Sequence, residues 1–173
     1  MDLLLANKLA ALAAVLDRGL TAAFEPLSPS STAAILTLKY RQPLTATELS
    51  RIIGLSQPAT VRLLERLLAT GLVERAPLAG IKEVRLSLSR EGETRAEELQ
   101  RVRLSTSWAL LEQLSPIERL ALHGLIDKLV TVPVTDRQVA RHLCRFCDHA
   151  LCEGALCPIG CAATALDRKQ GPT

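Results

Sequence analysis

The stretch that most constrains this fold is Leu44–Arg75, which reads as two helices joined by a tight turn and followed by the start of a strand. Thr45 or Thr47 can cap the first helix, and Gly54 permits a backbone reversal that a β-carbon would resist. Ser56 can cap the second helix. The pattern therefore predicts a helix-turn-helix.

The second of these helices has an apolar side and a polar side. Leu63, Leu64 and Leu67 fall on the first, whereas Gln57, Arg62 and Arg66 can point away from it. A helix of this size fits the DNA major groove, and its N-terminal residues would meet base edges first. We therefore predict a recognition helix, with candidate DNA contacts at Ser56, Gln57, Thr60, Arg62 and Arg66.

Two short strands are predicted after this helix, from the segments LVER and EVRLSLS. The segment PLAG, at residues 77–80, would connect them as a β-wing. Lys82 and Arg85 are the basic residues of its return side, and we include both as candidate phosphate contacts. A solvated surface role suits these two side chains equally well.

The order of these elements resembles the winged helix-turn-helix of the MarR (multiple antibiotic resistance regulator) family. The resemblance rests on LSQPATVRLLERL, GLVER and RLSLSREG, and with the flanking helices it covers roughly residues 5–132. It implies a homodimeric transcription regulator, most often a repressor, that binds an inverted-repeat operator in double-stranded DNA. Arg62 matches the family's recognition-helix arginine. The wing departs from the family's Asp-x-Arg pattern because Leu78, Ala79 and Ile81 occupy its tip.

The composition supports a mainly α fold with a small β-wing. The chain is 48% hydrophobic but only 2% aromatic, so its core must consist of Leu, Ala and Val. We expect a helical dimerisation region at residues 1–25 and 90–132, a winged helix-turn-helix at 28–89, and a C-terminal extension at 133–173. The first helix, at residues 2–24, has so little polar surface that it needs cover on several sides. Dimerisation would provide this cover, and so would an ordinary core position.

Charge and hydropathy limit where the protein acts. The net charge of +3 is mild, so attraction to DNA would be local rather than general. No apolar run approaches the roughly 18 residues of a membrane span, and no signal-peptide pattern begins the sequence. We expect a cytoplasmic protein without a membrane partner. In that reducing compartment five cysteines would be unusual as a disulfide set.

All five cysteines lie within 18 residues, in the pattern C-x2-C-x4-C-x4-C-x3-C. If the helix predicted from Asp136 continues through Cys152, Cys144 and Cys147 share one of its faces, and Glu153-Gly154 can turn the chain back. Four thiolates suit tetrahedral zinc or an iron–sulfur cluster. We predict a metal centre on Cys144, Cys147, Cys152 and Cys157, with zinc slightly favoured. Cys161 is left as a spare thiol, a substitute ligand or a redox partner, and His142 and His149 are reserve ligands.

Other interpretations of the cysteines and of the chain remain open. The thiols could form a metal-free redox switch, or they could be inert. The centre could be purely structural, with DNA binding controlled by a small aromatic or lipophilic effector of the kind that family members often bind. A redox or electron-transfer protein is the alternative from another class. We expect no enzyme, because neither a nucleophile–base set nor a phosphate-binding glycine loop is present.

Overall fold

The computed structural model describes residues 2–76 and 83–170, and it confirms a mainly helical fold with a small antiparallel sheet. The helices are α1 (Leu3–Phe24), α2 (Pro29–Arg41), α3 (Ala46–Ile53), α4 (Gln57–Ala69), α5 (Arg90–Leu111), α6 (Pro116–Thr131), α7 (Arg137–Leu143) and α8 (Pro158–Gln170), with a 3-10 turn at Gly154–Leu156. The strands are β1 (Leu44–Thr45), β2 (Val73–Ala76) and β3 (Arg85–Leu88).

The predicted helix-turn-helix corresponds to α3 and α4. Thr45 caps α3 through a capping box: its hydroxyl accepts from the Glu48 amide at 3.1 Å, and its own amide donates to the Glu48 carboxylate at 2.8 Å. Gly54 ends α3 with φ of 73°, the left-handed conformation that favours glycine. Ser56 occupies the N-cap position of α4, but its side chain makes no capping hydrogen bond.

The sheet has the order β1-β3-β2, with both pairings antiparallel. Leu86 on β3 lies opposite Leu44 on one side and Arg75 on the other. The two-residue strand β1 was not predicted, because it is too short to show an alternating pattern. The wing loop predicted at residues 77–80 and the candidate contact Lys82 lie outside the described residues.

The core is built around α2, which is buried along most of its length. Ile35, Leu36 and Leu38 are almost fully buried and pack with side chains from α3, α4, α5 and the sheet. Two helices differ from this core, because α6 has no buried residue and most of α1 is exposed. The exposed apolar side chains of α1 and α6 are removed from water only when another surface covers them.

The helix predicted to run from Asp136 through Cys152 is wrong in its length. Asp136 caps α7 by accepting from the Val139 amide at 2.8 Å, but the helix ends at Leu143. The chain then turns, with the Cys147 amide donating to the Cys144 carbonyl at 3.0 Å. Phe146 stacks on Phe24 with ring centroids 5.9 Å apart. Burial of this aromatic ring in the core outweighs the local helical pattern.

The helix α8 was not predicted from the sequence. It packs on α7 and α6 through a second small core of Val134, Ala140 and Ala163.

Within the described ranges, no helix combines the length and the apolar character that crossing a bilayer requires.

Candidate functional site

The outer surface of α4 presents the polar side chains predicted for a recognition helix. Ser56, Gln57, Arg62 and Arg66 are all exposed. The Gln57 amide donates to the Thr47 hydroxyl at 2.6 Å, which holds this side chain at the N-terminal end of the helix. Arg62 makes no hydrogen bond or ion pair with any residue that the structure describes. Its guanidinium is therefore available for an external acceptor.

Thr60 and Arg85 do not fit the DNA contacts predicted for them. Thr60 is fully buried, and its hydroxyl donates to the Ser56 carbonyl at 3.0 Å, so the predicted contact is wrong in this conformation. Arg85 donates to the Pro43 carbonyl at 3.2 Å and lies 3.7 Å from the Glu48 carboxylate. This arginine ties β3 to α3, which gives it a structural role that its position in the sequence did not reveal.

The structure brings four of the five cysteines together. Cys144, Cys147, Cys152 and Cys157 line one cavity of about 620 Å³ between α2, α7 and α8. Cys161 is exposed on α8 and does not line this cavity; its Sγ lies 3.5 Å from the Gly154 carbonyl oxygen. The cavity thus gathers the same four cysteines that the spacing singled out.

The thiols are close enough to perturb one another. A hydrogen bond with Cys147 raises the pKa of the Cys144 thiol, and burial and the neighbouring Cys157 act in the same direction. The same bond lowers the pKa of Cys147 to about 6, with further help from Arg103 and Arg41. Burial and Cys157 raise the pKa of Cys152 to about 11. The four sulfurs therefore form one electrostatically connected cluster.

The cluster contains the donor types that a tetrathiolate needs, but its side chains are not arranged as a finished coordination sphere. Across residues 2–76 and 83–170, no group of three or more His, Cys, Asp or Glu has the spacing of a metal site as the rotamers stand. Gathering four thiols on one ion would therefore require the cysteine side chains to take other rotamers. Four soft donors facing one cavity fit zinc or an iron–sulfur cluster.

Cys157 already has one feature of a metal-bound thiolate. Its Sγ accepts a hydrogen bond from the Gly160 amide at 3.1 Å, at the N-terminal end of α8. A β-carbon at Gly160 would lie 3.1 Å from that sulfur, so glycine permits the close approach. The start of α8 therefore holds the Cys157 sulfur in place through a backbone amide.

The structure separates the two histidines that were considered as reserve ligands. His142 Nδ1 lies 2.9 Å from the Ile52 carbonyl oxygen and must donate to it, while Nε2 faces the Arg145 guanidinium at 3.3 Å and must accept. Both ring nitrogens are thus engaged, and His142 is not available as a ligand. His149 lines the cysteine cavity and stacks on Tyr40 with centroids 4.9 Å apart.

Polar contacts attach the cysteine segment to α2 of the winged helix and to α5. Thr37 on α2 donates to the Arg145 carbonyl at 3.4 Å. With its amide oriented to satisfy both ends, buried Gln100 donates to the Phe146 carbonyl at 3.2 Å and accepts from the Asp148 amide at 2.7 Å. The extension predicted as a separate region therefore packs directly against the DNA-binding region.

Arginines near the thiols were missed by the sequence analysis. Arg41 and Arg141 line the cysteine cavity, and Arg103 is near enough to Cys147 to lower its pKa. Arg41 lies about 100 residues before the cysteines in the sequence, in the last turn of α2. A basic residue is common at the end of a helix, so nothing in the sequence links it to the cysteines. No spacing rule relates these residues to the cysteines, so only the folded chain brings them together.

Comparison with known proteins identifies the winged helix. Residues 26–80 match a family model described as the MarR family. This part of the chain is similar to the MarR family. The match covers α2 through β2, including the whole helix-turn-helix, and it ends well before the cysteine segment.

Solved structures extend the likeness over most of the chain. A MarR family protein from Bacillus stearothermophilus is 28% identical, with a TM-score of 0.66 over 72% of this chain and 89% of that one. YusO from Bacillus subtilis is 22% identical and has a TM-score of 0.66, covering 76% and 98% of the two chains. MepR, a regulator of a Staphylococcus aureus multidrug efflux pump, is 16% identical with a TM-score of 0.66, covering 72% and 95%. The chain therefore has the fold of MarR-family transcription regulators.

Proposed function

We propose that this MarR-family protein is a homodimeric, sequence-specific DNA-binding regulator whose DNA affinity depends on a metal centre at Cys144, Cys147, Cys152 and Cys157. A repressor is the role we favour, because it is the common one among MarR-like regulators. The observation that carries the proposal is the contact between His142, two residues before the first cysteine, and Ile52 at the end of α3. It joins the cysteine segment to the helix-turn-helix.

DNA recognition is assigned to α4. Its exposed surface combines the free Arg62 guanidinium with Arg66 and with Gln57 at the N-terminal end. Gln57 has the donor and acceptor pair that suits adenine, and an arginine suits guanine or a phosphate. Two copies of α4 in a dimer would enter successive major grooves of an inverted repeat, about one helical turn apart.

Dimerisation is assigned to α1, α6 and the end of α5. Large apolar side chains on these helices are exposed in the single chain, including Ile117 at 81% and Leu120 at 76%. Exposed apolar side chains of this size and number are typical of an interface between subunits rather than of a monomer surface.

Leu120→Glu is expected to shift the protein from dimer to monomer, because it places a charge in the centre of this apolar surface. The side chain is exposed in the single chain, so the fold of the monomer should survive. Analytical ultracentrifugation measures the result. Thr94→Glu, on the exposed charged half of α5, adds the same charge elsewhere and should leave the dimer intact. A dimer of unchanged stability in Leu120→Glu would contradict the assignment of the interface.

The metal centre would supply cross-linking between α7, the turn after it and the start of α8. Cys144 follows α7, Cys157 precedes α8, and Cys147 and Cys152 lie in the segment between them. A structural zinc or an iron–sulfur cluster holds such ligands at fixed separations, and binding free energy then becomes folding free energy for the segment. Loss of the centre would free the segment to move relative to the winged helix.

His142 is positioned to transmit that movement. Besides its bond to the Ile52 carbonyl, its ring lies against Gly54, where a β-carbon would be only 2.7 Å from His142 Cε1. Gly54 is the turn between α3 and the recognition helix, so a shift of α7 reaches the turn directly. This is allosteric coupling if the centre is bound differently in the DNA-bound and free arrangements.

His142→Ala is expected to leave metal content unchanged but to weaken the coupling between the centre and DNA. Coupling free energies of about 1–3 kcal/mol correspond to affinity changes of roughly 5- to 150-fold. We expect a change in this range between metal-loaded and metal-stripped wild type, and a much smaller change in the variant. Fluorescence anisotropy on an operator selected from a random-sequence library gives both affinities.

Two further variants make the His142 experiment specific. Asn can donate from nearly the same place as the ring Nδ1, so His142→Asn should restore part of the coupling. Gln138→Ala, at an exposed position of the same helix, should resemble wild type. If His142→Ala retains the full wild-type response, the contact with Ile52 is not the route. If the wild type itself does not respond, the centre is structural and an effector-controlled regulator becomes the better account.

A further inference from the structure

We infer that Arg41 and Arg141 are the counter-charges of the cysteine centre, so that the cavity is built for an anionic metal tetrathiolate. This inference rests on the proposed metal centre and adds the residues that neutralise it. Neither arginine belongs to the cysteine motif, since one ends α2 and the other lies on α7. Both line the cavity that the four thiols share.

Arg41 has no carboxylate partner although it is half-buried. Within the described part of the chain, its guanidinium makes no ion pair and no hydrogen bond. Burial lowers its pKa, Arg141 lowers it further, and the thiols of Cys144, Cys147 and Cys157 act in the opposite direction. A guanidinium has five N–H donors and no acceptor, so it suits an anion in the cavity that Arg41 shares with the cysteine sulfurs.

A third arginine in the same cavity shows what a satisfied cation looks like. Arg137 also lines the cavity, but its Nε donates to the Asp167 carboxylate at 3.0 Å and its Nη2 to the Thr164 hydroxyl at 3.1 Å. That arginine joins α7 to α8 and is neutralised within the protein. Arg41 and Arg141 differ because no described carboxylate forms an ion pair with either one.

The arginines carry the charge opposite to that of the centre. Four thiolates around a divalent ion leave a net charge of about −2, and Arg41 and Arg141 in the cavity, together with Arg103 near Cys147, supply positive charge around it. The acidic side chains near the two arginines have other partners or face solvent: Glu48 accepts from the Thr45 amide and pairs with Arg85, Asp148 accepts from the Ala150 amide at 2.9 Å, and Glu153 is exposed at the rim. Groups around a metal–ligand set commonly control its affinity in this way.

The arginines also extend towards the DNA-binding element. Arg41 and Arg141 line an adjoining cleft of about 360 Å³ together with Glu48, Arg51 and Ile52 of α3. When the centre is lost, Arg41 and Arg141 lose the anion of the cavity, and Glu48 is the carboxylate that shares the cleft with them. The two arginines that neutralise the centre therefore also lie beside α3 of the helix-turn-helix.

The test compares metal affinity in arginine variants of the full chain. Zinc affinity is measured anaerobically by competition with a chromophoric chelator, and iron retention is measured in parallel for protein reconstituted with iron and sulfide. Arg41→Gln and Arg141→Gln should each weaken zinc binding by roughly 10- to 100-fold, the usual effect of removing a supporting group. Arg41→Lys keeps the charge and should lose much less. Arg51→Gln, which lines only the adjoining cleft, should match wild type.

Each outcome distinguishes the inference from the proposed function. If wild type and Cys147→Ser both bind no metal, the proposed function fails. If wild type binds metal and the Gln variants bind it equally well, only the inference is overturned. Circular dichroism first checks that the metal-free variants are folded. If folded Arg41→Gln and Arg41→Lys then lose the same metal affinity, the inference is also overturned, because charge would not be the cause. Arg141 is exposed, so its variant decides the question if Arg41→Gln does not fold.

Discussion

Cys147→Ser is expected to abolish stable metal binding and to leave the protein in the DNA-binding state of metal-stripped wild type. Cys147 lines the shared cavity and interacts with Cys144, so it is central to the four-thiol cluster. A serine hydroxyl is a hard and weakly acidic donor that replaces a thiolate poorly. Elemental analysis of protein purified without oxygen measures metal per chain, and anisotropy on the selected operator measures DNA affinity.

Cys161→Ser is the matched control for this experiment. Its thiol is exposed on α8 and lies outside the cavity, so the variant should keep wild-type metal content. Loss of metal in Cys161→Ser with retention in Cys147→Ser would reverse the proposed ligand assignment. Loss in both variants would require a centre that uses the fifth thiol.

Arg62→Ala is expected to weaken operator binding by about 1–3 kcal/mol, which is roughly 5- to 150-fold in Kd. The Arg62 side chain is exposed on α4 and makes no hydrogen bond or ion pair with the described residues, so its loss should not destabilise the fold. The variant should therefore keep the dimer, its metal and its thermal stability while it loses affinity. A base contact would also relax sequence preference at one position, whereas a phosphate contact would weaken all sequences and reduce the salt dependence.

Arg101→Ala provides the matched control for Arg62→Ala. Arg101 is also an exposed arginine, but it lies on α5 rather than on the recognition helix, so operator affinity should stay at the wild-type value. An unchanged Kd in Arg62→Ala would contradict the assignment of α4 as the recognition helix.

The parts of the fold that could be predicted from sequence are those fixed by local rules. Thr45 and Gly54 mark the ends of α3 because a capping box and a left-handed turn depend on a few neighbouring residues. The apolar stripe of α4 and the alternation in β3 follow from which residues face the core. These signals were also sufficient for the resemblance to the MarR family.

The parts that could not be predicted depend on contacts between distant segments. The helix expected through Cys152 ends at Leu143 because Phe146 enters a core formed about 120 residues earlier in the sequence. Thr60 was included among the DNA contacts although it falls on or beside the apolar face of α4, and the structure buries it fully. Arg41 belongs to the cysteine cavity only because α2 passes beside it. Motif spacing found the thiols, and folding supplies their surroundings.

The most direct test of the account is the DNA affinity of one preparation before and after its metal is removed. The dimer is purified anaerobically, its metal is identified by elemental analysis and absorption spectrum, and its Kd for the selected operator is measured. The metal is then removed with a chelator under reducing conditions, and the measurement is repeated before and after reloading. The account predicts a reversible change of roughly 5- to 150-fold in Kd. A Kd that stays constant while the metal is lost and regained would contradict it.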